Sequence, residues 1–166
     1  MVPRMNKRTK KTPGSRRRNA TLRPIGVIHS TITKRSDAPK QGHEGAPDAW
    51  LEIRSFALDA LDGLREGDEI LVLTWLHQAR RETLKVHPRS DPERRLTGVF
   101  ATRSPDRPNP IGLHPVTVRK MERNRLLIGP IEVIDGTPVV DIKPALHCAP
   151  FSSRASLAPS PNRGKG

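Results

Sequence analysis

Hydrophobic positions along this chain recur mostly with the two-residue period of strands, and one stretch alone follows a helical period. Residues 22–30 alternate, with Ile25, Val27 and His29 on one face and Gly26, Ile28 and Ser30 on the other, which predicts a strand buried on at least one side. Residues 50–54 alternate again, Leu51 and Ile53 opposing Trp50 and Glu52. The nearly unbroken apolar run 70–76, bounded by Gly67-Asp68 and His77-Gln78, predicts a central strand buried on both faces. Four short strands are expected at 116–120, 126–128, 131–134 and 139–142, separated by turn chemistry at 122–125, Gly129-Pro130 and Asp135-Gly136. The helical exception is 56–64, where Ala57, Leu58, Leu61 and Leu64 stand at helical spacing before the breakers Gly63 and Gly67. Short strands at such close spacing make the class all-β, with an antiparallel sheet that curls or closes.

Three stretches break the pattern. Residues 31–47 dissolve into polar residues, Gly and Pro, including Ala38-Pro39-Lys40-Gln41-Gly42, and read as a long exposed loop. Residues 80–95 carry Arg80, Arg81, Lys85, Arg89, Arg94 and Arg95 against three acids, a loop suited to phosphates but with no aromatic platform for bases. Residues 98–112 open with a short strand at 99–102, after which Pro105, Pro108 and Pro110 fix the backbone. A segment so stiffened presents Arg103, Ser104, Arg107 and Asn109 with little freedom left to lose on binding. Composition alone leaves it open between a binding loop and a stiff connector. His77 and Gln78 bring hydrogen-bonding groups to the exit of a rigid strand, while Asp141 and Lys143, near the end of another, read as an ordinary exposed pair.

Charge changes the picture at the ends of the chain. The formal net charge is +13 over 166 residues, yet residues 1–20 carry eight Lys or Arg and no acid, and 152–166 carry three and none. The middle is nearly balanced, at 19 basic against 17 acidic residues. The expected organisation is a basic disordered arm (1–20), one domain (21–150) and a disordered tail (151–166), the arm suited to phosphates. Cys148 is the sole cysteine, so no intrachain disulfide forms, and no apolar run approaches a membrane span; a cytoplasmic protein fits. Dinucleotide and Walker loops, zinc-type ligand spacing and the Gly-x-Ser-x-Gly elbow are all missing, which disfavours Rossmann, P-loop, metal and serine-hydrolase chemistry.

Four segments together carry a resemblance. Pro24-Ile25-Gly26-Val27-Ile28-His29-Ser30, His77-Gln78, Gly98-Val99-Phe100-Ala101-Thr102-Arg103-Ser104 through Arg107-Pro108-Asn109-Pro110-Ile111-Gly112, and 135–144 (Asp-Gly-Thr-Pro-Val-Val-Asp-Ile-Lys-Pro) resemble the TsaA-like family over about residues 22–147. That resemblance implies a small β-barrel with one or two short helices, a homodimer, and S-adenosyl-L-methionine as cofactor. It further implies methylation of N6 of threonylcarbamoyladenosine at position 37 of tRNA. By motif match, cofactor contacts fall on Pro39, Lys40, Gln41, His77, Gln78, Arg103, Leu113, Asp135, Gly136, Thr137 and Pro138. Chemistry agrees: the cofactor's carboxylate suits a guanidinium such as Arg103, and its adenine suits amide or backbone partners near Gln78 and Thr137. A modest base suffices for an N6 proton acidified by a carbamoyl group, with Asp141 or His77 the candidates; Arg107, Asn109 and Lys143 are assigned to the substrate or to shaping the loop. No metal is expected. Lys40 stands where the family commonly has arginine, Asp106 where histidine is frequent, and Ala145 where tyrosine often follows Ile-Lys-Pro. A methyltransferase of the same fold on another acceptor, and a non-catalytic RNA-binding barrel, are the competing readings.

Overall fold

A computed structural model describes residues 21–145; the basic arm, Cys148 and the tail lie outside the described residues. In chain order the strands are β1 (Gly26–His29), β2 (Ala49–Ile53), β3 (Glu69–Trp75), β4 (Lys85–Val86), β5 (Thr97–Gly98), β6 (Ile111–Glu122), β7 (Arg125–Gly129) and β8 (Pro138–Pro144). Six of them close a barrel in the order β1-β2-β7-β6-β3-β8, every pairing antiparallel, while β4 and β5 form a separate ribbon. Closure follows from the alternation, because each strand has one apolar row to bury and a barrel supplies one interior for all of them. Ala49, Leu51 and Ile53 of β2, Leu126 and Ile128 of β7, and Val116 and Val118 of β6 fill that interior with Ile28, Ile70, Val72 and Val139. Each such aliphatic side chain contributes about 1.5–3 kcal/mol by leaving water.

The expected all-β class and antiparallel barrel are present, with several local corrections. The helix expected at 56–64 is a 3-10 helix, Ser55–Leu61, whose Ala57, Leu58 and Leu61 pack on the core. β3 is not buried on both faces: Ile70 and Val72 point inward, whereas Leu71, Leu73 and Trp75 on the outer face are half-buried, as barrel closure requires. Residues 131–134 are not a strand, although Ile131, Val133 and Ile134 are buried. Their backbone leaves the ladder, Ile131 N–H donating to Pro47 (3.0 Å) and Asp135 N–H to Ile32 (2.7 Å), so the segment crosses the barrel mouth and its apolar side chains plug it. The strand expected at 99–102 is a 3-10 helix at Val99–Ala101, with the pairing two residues earlier in β5. Within the expected loop 80–95, β4 and a 3-10 turn (Pro88–Ser90) are formed. β6 starts at Ile111, inside the proline-rich stretch, and runs twelve residues.

Candidate functional site

One end of the barrel carries the polar segments. β3 leaves the barrel at Trp75 and delivers His77 and Gln78, while Leu76 N–H donates to Pro110 (2.8 Å) and so joins that exit to the start of β6. The 103–107 loop is folded on itself by Arg107, whose guanidinium donates to the carbonyls of Ser104 (2.8 Å), Val99 (3.1 Å) and Thr102 (2.6 Å). Arg107 is thus occupied in shaping the loop, whereas Arg103 makes no hydrogen bond or ion pair with any described residue. Arg35 ties the parts together: its guanidinium donates to the Gln78 carbonyl (3.1 Å) and to Asp106 Oδ1 (2.9 Å), which also accepts from Arg80 N–H. Asp106, a departure from the family pattern, is therefore the anchor of a strut between the His-Gln pair and the proline-rich loop.

These segments enclose a cleft of about 880 Å³. Its walls include Pro39, Lys40 and Gln41 from the 31–47 loop, His77 and Gln78, Arg103 and Arg107, Leu113 of β6, and Thr137. Eight of the eleven expected cofactor contacts thus line one cavity. Asp135, Gly136 and Pro138 flank Thr137 without lining it. Asp135 turns its carboxylate to Ser30 N–H (3.0 Å), and Gly136 holds a φ of 75° that a side chain rarely tolerates. The corner they form is latched to the end of β1 by the Gly136 N–H bond to Ile28 (2.9 Å), and buried Thr137 closes it through its hydroxyl bond to the Ile134 carbonyl (2.6 Å). Asp141 and Lys143 lie outside the cleft and pair with each other at 2.8 Å; Asn109 is also outside it. A second hollow, of about 610 Å³, sits at the far end of β6 and is walled by Glu52 and the 122–125 hairpin, with none of these segments nearby.

Residues not singled out from the sequence complete the cleft. His114 is buried on the inner row of β6, its Nε2 2.9 Å from Thr74 Oγ1 and its Nδ1 2.9 Å from Glu132 Oε1. Burial pushes the Glu132 carboxyl up, but the hydrogen bond and charge of His114, its own backbone N–H and the nearby Arg103 outweigh that, holding it below the ordinary value of 4.5. The available signal was position: Thr74 and His114 interrupt otherwise apolar inward rows, and Glu132 stands between Ile131 and Val133.

Comparison with known proteins decides the family. Residues 27–149 match the model of the tRNA-methyltransferase O N-terminal domain. The chain belongs to this family. Relatives of the tRNA-methyltransferase O N-terminal domain family include a probable S-adenosyl-L-methionine-binding protein of Methanocaldococcus jannaschii, 51% identical over 126 residues that make up 74% of this chain and 89% of the relative. An S-adenosyl-L-methionine-binding protein of Archaeoglobus fulgidus is 44% identical over 132 residues, covering 76% of this chain and 92% of that one. Among solved structures, TrmO from Pseudomonas aeruginosa superposes with a TM-score of 0.66 at 33% identity, over 86% of this chain. The matched part is 64% of that TrmO chain, so this chain spans just under two thirds of its length.

Proposed function

We propose that this protein is an S-adenosyl-L-methionine-dependent methyltransferase whose acceptor is N6 of threonylcarbamoyladenosine at position 37 of tRNA. The observation that carries this reading is the convergence of the Pro39-Lys40-Gln41, His77-Gln78, Arg103 and Thr137 segments on one cleft of about 880 Å³, within the usual size of a small-molecule site. The residues present fit the cofactor: a guanidinium at Arg103 without a partner among the described residues for a carboxylate, the Gln78 and Gln41 amides for an adenine edge, and Leu113 for apolar contact. When bound, S-adenosyl-L-methionine supplies an electrophilic methyl group. The chain supplies position and exclusion of water, with the adjoining loops roofing the cavity.

His77, exposed on the cleft wall, is the proposed proton acceptor, its ring nitrogen taking the N6 proton as the new bond forms. Asp141 is displaced from this role by its position outside the cleft and its pairing with Lys143. For tRNA as partner the support is the strip 80–95 beside the cleft, where Arg80, Arg81, Lys85 and Arg95 are exposed and form no ion pair with described residues. Exposed Leu84, Leu96, Phe100, Ile111 and Leu113 around the β4–β5 ribbon and the start of β6 support a homodimer. We place the protein in the cytoplasm; among the described residues no helix is long and apolar enough to cross a membrane.

Mass spectrometry of nucleosides from a strain lacking the protein tests the reading. Loss of N6-methylated threonylcarbamoyladenosine, restored by the wild-type chain, is expected. An unchanged nucleoside profile with retained cofactor binding would assign the fold to another acceptor, and absence of cofactor binding would leave an RNA-binding barrel.

A further inference from the structure

Thr74, His114 and Glu132 form a polar line that runs from the barrel interior to the cleft. Its order differs from that of a hydrolytic triad: the hydroxyl is the fully buried end, His114 edges onto the cavity wall with its side chain 4% exposed, and the carboxylate, at 19%, is the end most open to it. The group the line presents most openly to a ligand is therefore an acid. His114 occupies Oε1, and besides Glu132's own backbone N–H no other described residue donates a hydrogen bond to this carboxylate.

Gly112 leaves room for the line, and Gly42 lies beside its outer end. A side chain at Gly112 would put its Cβ 2.3 Å from His114 Nε2 and 2.4 Å from Thr74 Oγ1, and one at Gly42 would meet first the Pro130 carbonyl (2.8 Å) and then Glu132 Oε2 (3.2 Å). Stability alone gives little reason for such an arrangement, since buried ionic and polar groups are often replaced by apolar ones without loss. The charges around it are equally uneven. Arg35, Lys40, Arg89, Arg103 and Arg107 line the same cleft, and its other acid, Asp106, is taken up by Arg35 and Arg80. Glu132 and Arg103 share the cavity and are close enough for the charge of one to act on the other, yet they form no ion pair. Two opposite charges left apart in one cavity suit a ligand that carries both.

We infer that Glu132 and Arg103 together receive a zwitterionic α-amino-acid end, the guanidinium pairing with its carboxylate and Glu132 Oε2 accepting from its ammonium. His114 and Thr74 are positioning residues behind the acid. This deepens the cofactor reading above and rests on it, because the aminocarboxypropyl arm of S-adenosyl-L-methionine ends in such a zwitterion.

Titration calorimetry on the full chain separates the possibilities, with S-adenosylhomocysteine as the probe and 5′-methylthioadenosine, which lacks the amino-acid arm, read by competition. Glu132→Gln should weaken S-adenosylhomocysteine by about tenfold or more and leave 5′-methylthioadenosine within about twofold. Thr74→Val should give a smaller loss with the same selectivity, and Glu132→Asp, which keeps the charge and guards against a misfolded variant, should recover part of the affinity. Equal loss of both ligands would make the line purely structural and overturn the inference. No loss of either would overturn it too, as would a loss confined to S-adenosyl-L-methionine with S-adenosylhomocysteine unaffected, since Glu132 would then serve the sulfonium. Failure of the wild-type chain to bind S-adenosylhomocysteine would instead bring down the cofactor reading itself, and the inference with it.

Discussion

The inward row shared by β3 and β6 changes character along its length, and the two halves of the barrel differ accordingly. Toward the far end, Ile70, Val72, Val116 and Val118 meet in a wholly aliphatic interior. Toward the cleft, the same row continues as Thr74, His114 and Gly112, and hydrogen bonds replace apolar contact. The strand period is kept throughout; only the chemistry of the inward side chains switches. A barrel of this kind has an apolar, cohesive end and a polar end that carries the proposed site, so damage to either end should have a different signature.

The largest effect is expected at the aliphatic end. Leu51→Ala empties space beside Ile28 and Ile53 and should cost about 2–5 kcal/mol in denaturant unfolding, a large part of a small domain's stability. Cofactor affinity of the remaining folded protein should stay within about twofold. At the cleft end the signature reverses: Arg103→Ala removes an exposed side chain without a described partner, so the melting temperature should move by no more than about two degrees. Affinity for S-adenosylhomocysteine should fall about 10- to 100-fold, and unchanged affinity would remove Arg103 from the site. The smallest effect concerns acid. Because the folded state holds the Glu132 carboxyl below its ordinary value of 4.5, its contribution to stability is present above that value and is lost as pH falls through the lower folded one. Melting temperatures of Glu132→Gln should therefore vary less with pH below about 4.5 than those of wild type. Matching acid limbs would mean that the interaction with His114 does not distinguish folded from unfolded chains.

Strand alternation made the barrel legible where side chains alternate because they pair across a ladder, as in β2 and β7. It misled at 131–134, where Ile131 and Val133 alternate with Pro130 and Glu132 for another reason: a plug, too, must turn apolar groups inward. At 56–64 the expected short helix forms, as seven 3-10 residues between Arg54 and Asp62. For the site, the contiguous motifs were readable because each keeps its polar groups within a few residues. Thr74, His114 and Glu132 are 40 and 18 residues apart and meet only through the pairing of β3 with β6 and the crossing of the mouth. Asp141 lies in a contiguous motif, and the pairing of β8 with β3 turns it to the barrel's exterior beside Lys143.

The cleft's roof is secured quite differently from its floor. Lys40 Nζ donates to the Arg89 carbonyl, and Arg89 reaches back to Glu44 Oε1 (2.8 Å), linking the 31–47 and 85–95 loops through exposed groups. Water competes well for contacts of that sort, so parting the loops sacrifices almost no buried oil-like surface. Passage of the proposed cofactor would thereby be uncoupled from the rigidity of the wall beneath, and raising ionic strength should ease it without softening the barrel.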